Sequence, residues 1–401
     1  MTATRWPLIF VMIGAGVVCA FQVGKAAIAV PLLRQDLGLS LSFAAWIISV
    51  YAMLGAAAGL MIGVIVTRIG ARRAAIGGLL VVGLASCAGA AATSGEWLIV
   101  CRIVEGCGFV PAVIAIPTLL RLISAPRDHD MTMALWSCYV PVGMVIIMFA
   151  GPWLASESWR VLWFANGALA ILYAGLLVVV APQDRPAGTA ARIDPLGLRT
   201  GVGEVLRARG PMLLALSFCL YTFHYHAVVG LMPTLLTERL GLSIEAAAAL
   251  VALAIAVNGV GNFIVGPLLR FGLPLWLPIA VSFVATGTMS LGIFSGSAPA
   301  LLVVVCASIG LGVSGMVPGA MFAGAPYFTP RPALLAAIFG VLAQASAIGQ
   351  MLGPAALGTW ADHFGWSSAP IMFVTMGVIG VAAAFALRRT PMTTQPVLRR
   401  A

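Results

Sequence analysis

Charge is what this chain has least of. Only 8% of its 401 residues are Asp, Glu, Lys or Arg, 61% are hydrophobic, and its 22 basic residues include a single lysine, Lys25. Soluble domains carry about a quarter charged residues, so this composition excludes one. The seven cysteines (Cys19, Cys87, Cys101, Cys107, Cys138, Cys219 and Cys306) all fall inside apolar stretches. None has a partner in a loop and none has zinc-site spacing, which excludes a disulfide framework and argues against a metal. HExxH, GxSxG and a phosphate-cradling glycine loop are all missing, so no enzyme chemistry is indicated and no cofactor is expected. No loop is long enough for a signalling domain. Whatever the protein does, it does in or through a bilayer.

Long apolar runs are what the sequence has instead. Twelve stretches reach bilayer-spanning length, near 8–33, 44–66, 74–93, 97–120, 131–153, 160–181, 211–236, 245–269, 274–295, 299–323, 333–357 and 368–387. With the N-terminus inside, alternate gaps hold 17 of the 22 basic residues, including Arg68, Arg72 and Arg73, Arg185 to Arg209, and Arg388 to Arg400. The outside gaps hold Arg34, Arg160 and Arg239. Arginine is retained on the cytoplasmic face, so both termini are expected there, in a bacterial inner membrane. The same placement accounts for a sequence pI near 9.8 without nucleic acid as a partner. The first run, about 26 residues long, outruns a signal-peptide core and reads as a retained span. Trp6, Trp46, Trp97, Trp153, Trp159, Trp276, Trp360 and Trp366 fall near span ends, where indole rings sit among headgroups.

The longest polar gap, 182–210, divides the chain into an N-terminal bundle (1–181) and a C-terminal bundle (211–387), followed by a tail (388–401). The halves repeat at an offset near 203. Leu37-Gly38-Leu39-Ser40 matches Leu240-Gly241-Leu242-Ser243, and Gly63 matches Gly266. Gly106 and Gly108 match Gly310 and Gly312, Gly151-Pro152 matches Gly353-Pro354, and Trp159 matches Trp366. Six spans per half give both halves one orientation, so the repeat axis lies along the membrane normal. The predicted fold is all-α, two six-helix bundles that rock about a midplane site.

Between spans 2 and 3 the chain reads Gly63-Val-Ile-Val-Thr67-Arg68-Ile-Gly70-Ala-Arg72-Arg73. This resembles the loop signature of the major facilitator superfamily, Gly-x-x-x-Asp-Arg-x-Gly-x-Arg-Arg, and the resemblance extends over the whole chain. It assigns Gly63, Thr67, Arg68, Gly70, Arg72 and Arg73 to gating between the halves. Thr67 replaces the family's aspartate, which puts the usual charged latch in doubt. Read physically, Gly63 permits close helix approach, Gly70 a tight turn, and the arginines a cytoplasmic anchor.

Three charges lie within the apolar spans. Arg102 and Glu105 share a face of span 4 at i, i+3, and Lys25 lies in span 1 at the same depth as Glu105. Arg102 with its glycines, Gly106 and Gly108, resembles the family's span 4 motif, which is associated with proton coupling. Charges in hydrocarbon are costly, so a Lys25–Glu105–Arg102 cluster is the leading site, with Gln22 nearby. The alternative is a structural Arg102–Glu105 pair with Lys25 reaching outward to the headgroups. His224 and His226 in span 7 point about 200° apart, so at most one faces a central cavity. Asn258 and Asn262 share a face of span 8 and either bind solute or staple helices. Tyr139 and Gln344 are weaker candidates.

Together these features predict a monomeric secondary transporter, coupled to protons and moving a small organic anion or carboxylate by alternating access. The alternative is a proton-antiport exporter of a drug or a secreted metabolite such as a siderophore. Gly151-Pro152 weakly favours export, because it matches part of the glycine pattern of drug antiporters, although Ile147, Ala155 and Ser156 stand where glycines are expected. The first half also resembles the prokaryotic cyanate and nitroimidazole transporter branch, through Trp136 and Pro141-Val-Gly143.

Overall fold

The computed structural model describes residues 3–183, 202–331 and 334–392. Arg185, Arg192, Arg199, Arg399 and Arg400, which contribute to the charge asymmetry, lie outside the described residues, as does the side chain of Thr67. Among the described residues, twelve helices are long and apolar enough to cross a bilayer. They are α1 (Trp6–Leu37), α2 (Leu41–Gly59), α3 (Ala71–Ala90), α4 (Gly95–Ile123), α5 (Tyr139–Glu157), α6 (Trp159–Val180), α7 (Arg209–Leu240), α8 (Ile244–Arg270), α9 (Trp276–Ile293), α10 (Ala300–Phe328), α11 (Ala337–Phe364) and α12 (Trp366–Arg388). Each overlaps one apolar run of the sequence. They pack as two six-helix bundles.

The repeat is visible in the caps. α1 and α7 both contain 32 residues and end on a left-handed glycine, Gly38 at φ 64° and Gly241 at φ 67°. Only glycine takes that backbone without strain. The next helix in each half opens on a serine whose hydroxyl accepts an amide of the first turn, Ser40 from Phe43 and Ser243 from Ala246.

α2 departs from α-helical geometry twice. Its first segment, Leu41–Ser49, tightens into a 3₁₀ turn over Val50–Ala52, and the helix that resumes at Met53 and runs to Ile69 kinks at Ala58 (φ −142°, ψ 16°). Neither break contains proline. The first is braced by charge, as described below.

The bundles meet at one end. A continuous apolar core joins the Arg34-end residues of α1 and α2, among them Val30, Leu33, Ala44 and Ile48, to α7, α8 and α11 through Leu231, Leu235, Val251 and Leu357. At the opposite end the first bundle has a core of its own, from Ile9 and Met12 to Leu119, Leu120 and Leu177. Polar bonds latch the closed end. Arg34 pairs with Glu238, and Ser42 Oγ lies 2.8 Å from Thr359 Oγ1. The Asp362 carboxylate accepts the Leu41 and Ser42 amides at 3.3 and 2.6 Å. Asp362 therefore caps α2 from the other bundle, adding a negative charge where the helix dipole is positive.

Gly63 does not bring helices together in this conformation, because a Cβ built there meets no atom within 4 Å. The close approach expected at this residue is absent because it lies toward the end where the bundles have separate cores. Gly70 does form a turn, at φ 92°, between the helix ending at Ile69 and α3. Arg68 and Arg73 are exposed, and Arg72 donates to the Val178 carbonyl. Near the α10–α11 connection Arg331 pairs with Glu204, whose hydrogen bonds push the guanidinium pKa upward.

Candidate functional site

Lys25, Arg102 and Glu105 come together, and all three are at most 1% exposed. Lys25 Nζ donates to Glu105 Oε1 at 2.8 Å, and Arg102 Nη1 donates to Glu105 Oε2. The carboxylate thus holds a different cation on each oxygen. Lys25 also donates to Ser86 Oγ of α3 at 2.6 Å and sits 4.7 Å from the ring centre of Trp163 on α6. The Ser86 hydroxyl in turn donates to the Trp163 carbonyl at 2.8 Å. Lys25 is therefore enclosed, not reaching for the headgroups.

Arg102 explains how α2 tolerates its first break. In a 3₁₀ turn each amide bonds three residues back, as Met53 N–H does to Val50, which leaves carbonyls of the preceding turn short of donors. Arg102 Nε donates to Ile47 O at 2.8 Å and Nη2 to Ile48 O at 3.3 Å. A further bond, Nη1 to Gln22 O at 2.9 Å, ties the guanidinium to α1. One fork thus joins α1, α2 and α4, a geometry that a lysine cannot supply. Gly106, one residue past Glu105, has no side chain, and the Tyr51 carbonyl occupies the space where one would stand.

The superfamily resemblance implies that spans 1 and 4 border the central cavity, which would face this cluster onto it. The structure turns it into the first bundle, among α1, α2, α3, α4 and α6. Gln22 borders it through its backbone, while its buried side-chain amide has no protein partner among the described residues.

The other candidates separate. His224 is buried and packs edge-on against Phe373 of α12, with ring centres 5.5 Å apart, so it faces away from the other bundle. His226 is half-buried, and its Nδ1 lies 2.9 Å from the Thr222 carbonyl. It shares a helix face with Thr222 and Gly230, which abut α11 and α2. Of the two histidines, His226 is the one at the seam between the bundles. Asn258 staples helices: Nδ2 donates to Leu311 O of α10 at 2.7 Å, and Oδ1 accepts the Tyr221 hydroxyl of α7 at 3.2 Å. Asn262 lies one turn further on, half-buried. Tyr139 stacks on Trp136 at 4.3 Å. Gln344 Nε2 donates to Ala56 O of α2 at 2.9 Å, so it too belongs to the α2–α11 seam.

Sequence reasoning missed Ser86, Trp163, Tyr51 and Gln350. Tyr51 lies over Arg102, 5.0 Å from ring centre to guanidinium, and donates to Gln350 Oε1 of α11 at 3.0 Å. Tyr225 stacks on Tyr221, with ring centres 5.8 Å apart. A signal existed for Tyr51 alone of the missed residues: like Tyr221 and Tyr225 it lies mid-span, whereas eight of the ten tryptophans lie near span ends.

Two bundles of six thus meet at one end, and the buried charge cluster lies within the first. The sequence pattern of the Major Facilitator Superfamily matches residues 11–345. The chain belongs to that superfamily. It is 27% identical to the gallate transporter of Pseudomonas putida over 94% of this chain and 91% of that one. It is 25% identical to the 3-(3-hydroxy-phenyl)propionate transporter of Escherichia coli K12, over 90% and 85% respectively. The puromycin resistance protein of Streptomyces alboniger is 28% identical over 50% of this chain, which spans only 40% of that protein's length. The fold matches that of a bacterial homolog of the human lysosomal transporter Spinster, solved in an inward-facing and occupied conformation, with a TM-score of 0.82 at 16% identity and coverage of 97% and 98%. This chain is therefore a superfamily transporter, not an enzyme, with twelve candidate membrane helices among its described residues.

Proposed function

We propose that this superfamily member is a proton-coupled carrier of a small hydroxylated aromatic carboxylate. The observation that carries the coupling is Glu105 shared between Lys25 and Arg102 at full burial. With Glu105 ionised the cluster holds a net charge of +1. Protonation leaves two cations with no anion between them, in surroundings that stabilise unpaired charge poorly. Since Arg102 also holds the broken turn of α2, a change in its partners is felt by a helix that packs on the opposite bundle. That is how a proton on Glu105 biases the rocking of the two halves.

The substrate class is supported by the two full-length relatives, whose named solutes are aromatic carboxylates. Lys25 is already saturated by Glu105, Ser86 and Trp163, so its role is to balance Glu105. At the seam the imidazole of His226 and the amide of Gln344 suit the ring's hydroxyls. Arginine placement puts the termini in the cytoplasm and the Arg34–Glu238 latch outside, so this conformation opens inward. A second reading, proton-driven export, is favoured by the half-length likeness to resistance proteins.

Purified protein in proteoliposomes should accumulate 3-(3-hydroxyphenyl)propionate or gallate when a proton gradient is imposed, and a protonophore should abolish this. Extrusion of the solute against an inward gradient would support the export reading. Solute movement that ignores the proton gradient in both directions would refute the coupling.

A further inference from the structure

Tyr51 touches the charge cluster on one side and the opposite bundle on the other. It lies at the centre of the 3₁₀ turn Val50–Ala52 and is 2% exposed. Its ring faces the Arg102 guanidinium at 5.0 Å and meets the edge of Phe109 at 5.5 Å and 86°. Its carbonyl fills the space over Gly106. Its hydroxyl crosses to Gln350 Oε1 at 3.0 Å. Gln350 is tied in turn to the α7–α11 contact, with its Nε2 3.4 Å from Ser346 Oγ and the Ser346 carbonyl accepting Thr222 Oγ1 at 2.9 Å. A phenol has only two side-chain torsions, so a shift of the guanidinium under the ring is carried to the hydroxyl instead of being absorbed, as it would be along a flexible chain.

We propose that Tyr51 is a positioning residue for coupling: it passes the protonation state of Glu105, felt through Arg102 beneath its ring, to the α2–α11 seam through its hydrogen bond to Gln350. The inference rests on the proton-coupled reading above. Around Glu105 the charged and titratable groups are Lys25 of α1, Tyr51 of α2, Cys87 of α3, and Arg102 and Cys101 of α4, with α6 contributing the uncharged Trp163. Among these groups, Tyr51 carries the hydroxyl that reaches the other bundle.

The test compares Tyr51→Phe and Gln350→Leu with the parent protein in proteoliposomes, using 3-(3-hydroxyphenyl)propionate as the probe. Two rates are read across pH: solute exchange at equal internal and external pH, and accumulation driven by a proton gradient. Tyr51→Phe keeps the ring over Arg102 and removes only the inter-bundle bond. Exchange should stay within about twofold of the parent, while driven accumulation falls about tenfold, the scale of one buried hydrogen bond, and its pH dependence flattens. Gln350→Leu should reproduce this, and the double variant should be no worse than either single one. Parental accumulation in Tyr51→Phe would overturn the inference. So would an equal fall in exchange and accumulation with an unchanged pH profile, since that is what a merely structural role gives. If Tyr51→Phe does not fold, the pH profile of Gln350→Leu decides by the same criteria. If the parent itself exchanges solute but never accumulates it with protons, the proposed function fails first and the inference falls with it.

Discussion

Glu105→Gln lowers the stability of the folded protein by about 3–5 kcal/mol, and adding Lys25→Met in the same chain restores a large part of that loss. The first figure is the usual cost of removing one partner from a buried ion pair, because the remaining charge stays behind without compensation. Here two cations are left, Lys25 with only Ser86 and the Trp163 face, and Arg102 with three carbonyls. Methionine has nearly the length of lysine and no charge, and it packs against an indole favourably. Ser86 keeps its bond to the Trp163 carbonyl in either case. The double variant therefore retains one cation, Arg102, whose remaining neighbour at position 105 is an amide oxygen still able to accept. Thermal unfolding in detergent micelles of the parent, both single variants and the double variant gives the coupling energy directly. Additive losses would show that Lys25 and Glu105 do not depend on each other.

Arg102→Lys is expected to abolish proton-driven accumulation, to below about one tenth of the parental rate, and to destabilise the fold by about 2–3 kcal/mol. Charge is conserved, so the effect isolates geometry. The guanidinium reaches Ile47 O, Ile48 O, Gln22 O and Glu105 at once. An ammonium has three donors at a single point and cannot span carbonyls on two helices. Each charged hydrogen bond lost to a buried carbonyl costs about 1.5–3 kcal/mol, softened by whatever the lysine still reaches. Two of the affected carbonyls, those of Ile47 and Ile48, belong to the turn before the α2 break, so α2 should either straighten or fray there. Uptake rates and melting curves check both parts. A lysine variant with parental transport would mean that charge alone suffices and that the bracing of α2 is incidental.

Much of this was legible in the sequence because hydrocarbon makes polarity conspicuous. Lys25, Arg102 and Glu105 stand out as charges within apolar runs, and helical rise sets the depth of Lys25 and Glu105. Leu-Gly-Leu-Ser, repeated at 37 and 240, gives the register of the two halves, and the structure places a helix end and a serine cap at each copy. The direction each residue faces was not legible. Lys25 turns toward α3 and α6 because Ser86 and Trp163 offer an acceptor and a ring there, and serine and tryptophan are too ordinary in membrane helices to be singled out. The break at Val50–Ala52 carries no proline or glycine, and the residue that braces it, Arg102, lies some fifty residues away. His224 and His226 could be separated by angle but not ranked, because the ranking depends on Phe373 and on the α2–α11 seam. Gly63 shows the reverse limit: its motif is plain, yet its packing belongs to an end where, in this conformation, the bundles do not share a core.

The central claim is that solute and proton move together through a protein whose coupling depends on Glu105. It is tested most directly by adding 3-(3-hydroxyphenyl)propionate to weakly buffered proteoliposomes with no imposed gradient and recording the internal pH. The account predicts that the parent acidifies the lumen as solute enters, whereas the Glu105→Gln, Lys25→Met double variant, shown to be folded by its melting curve, carries solute without a pH change. Solute-dependent acidification of equal size in the double variant would contradict it.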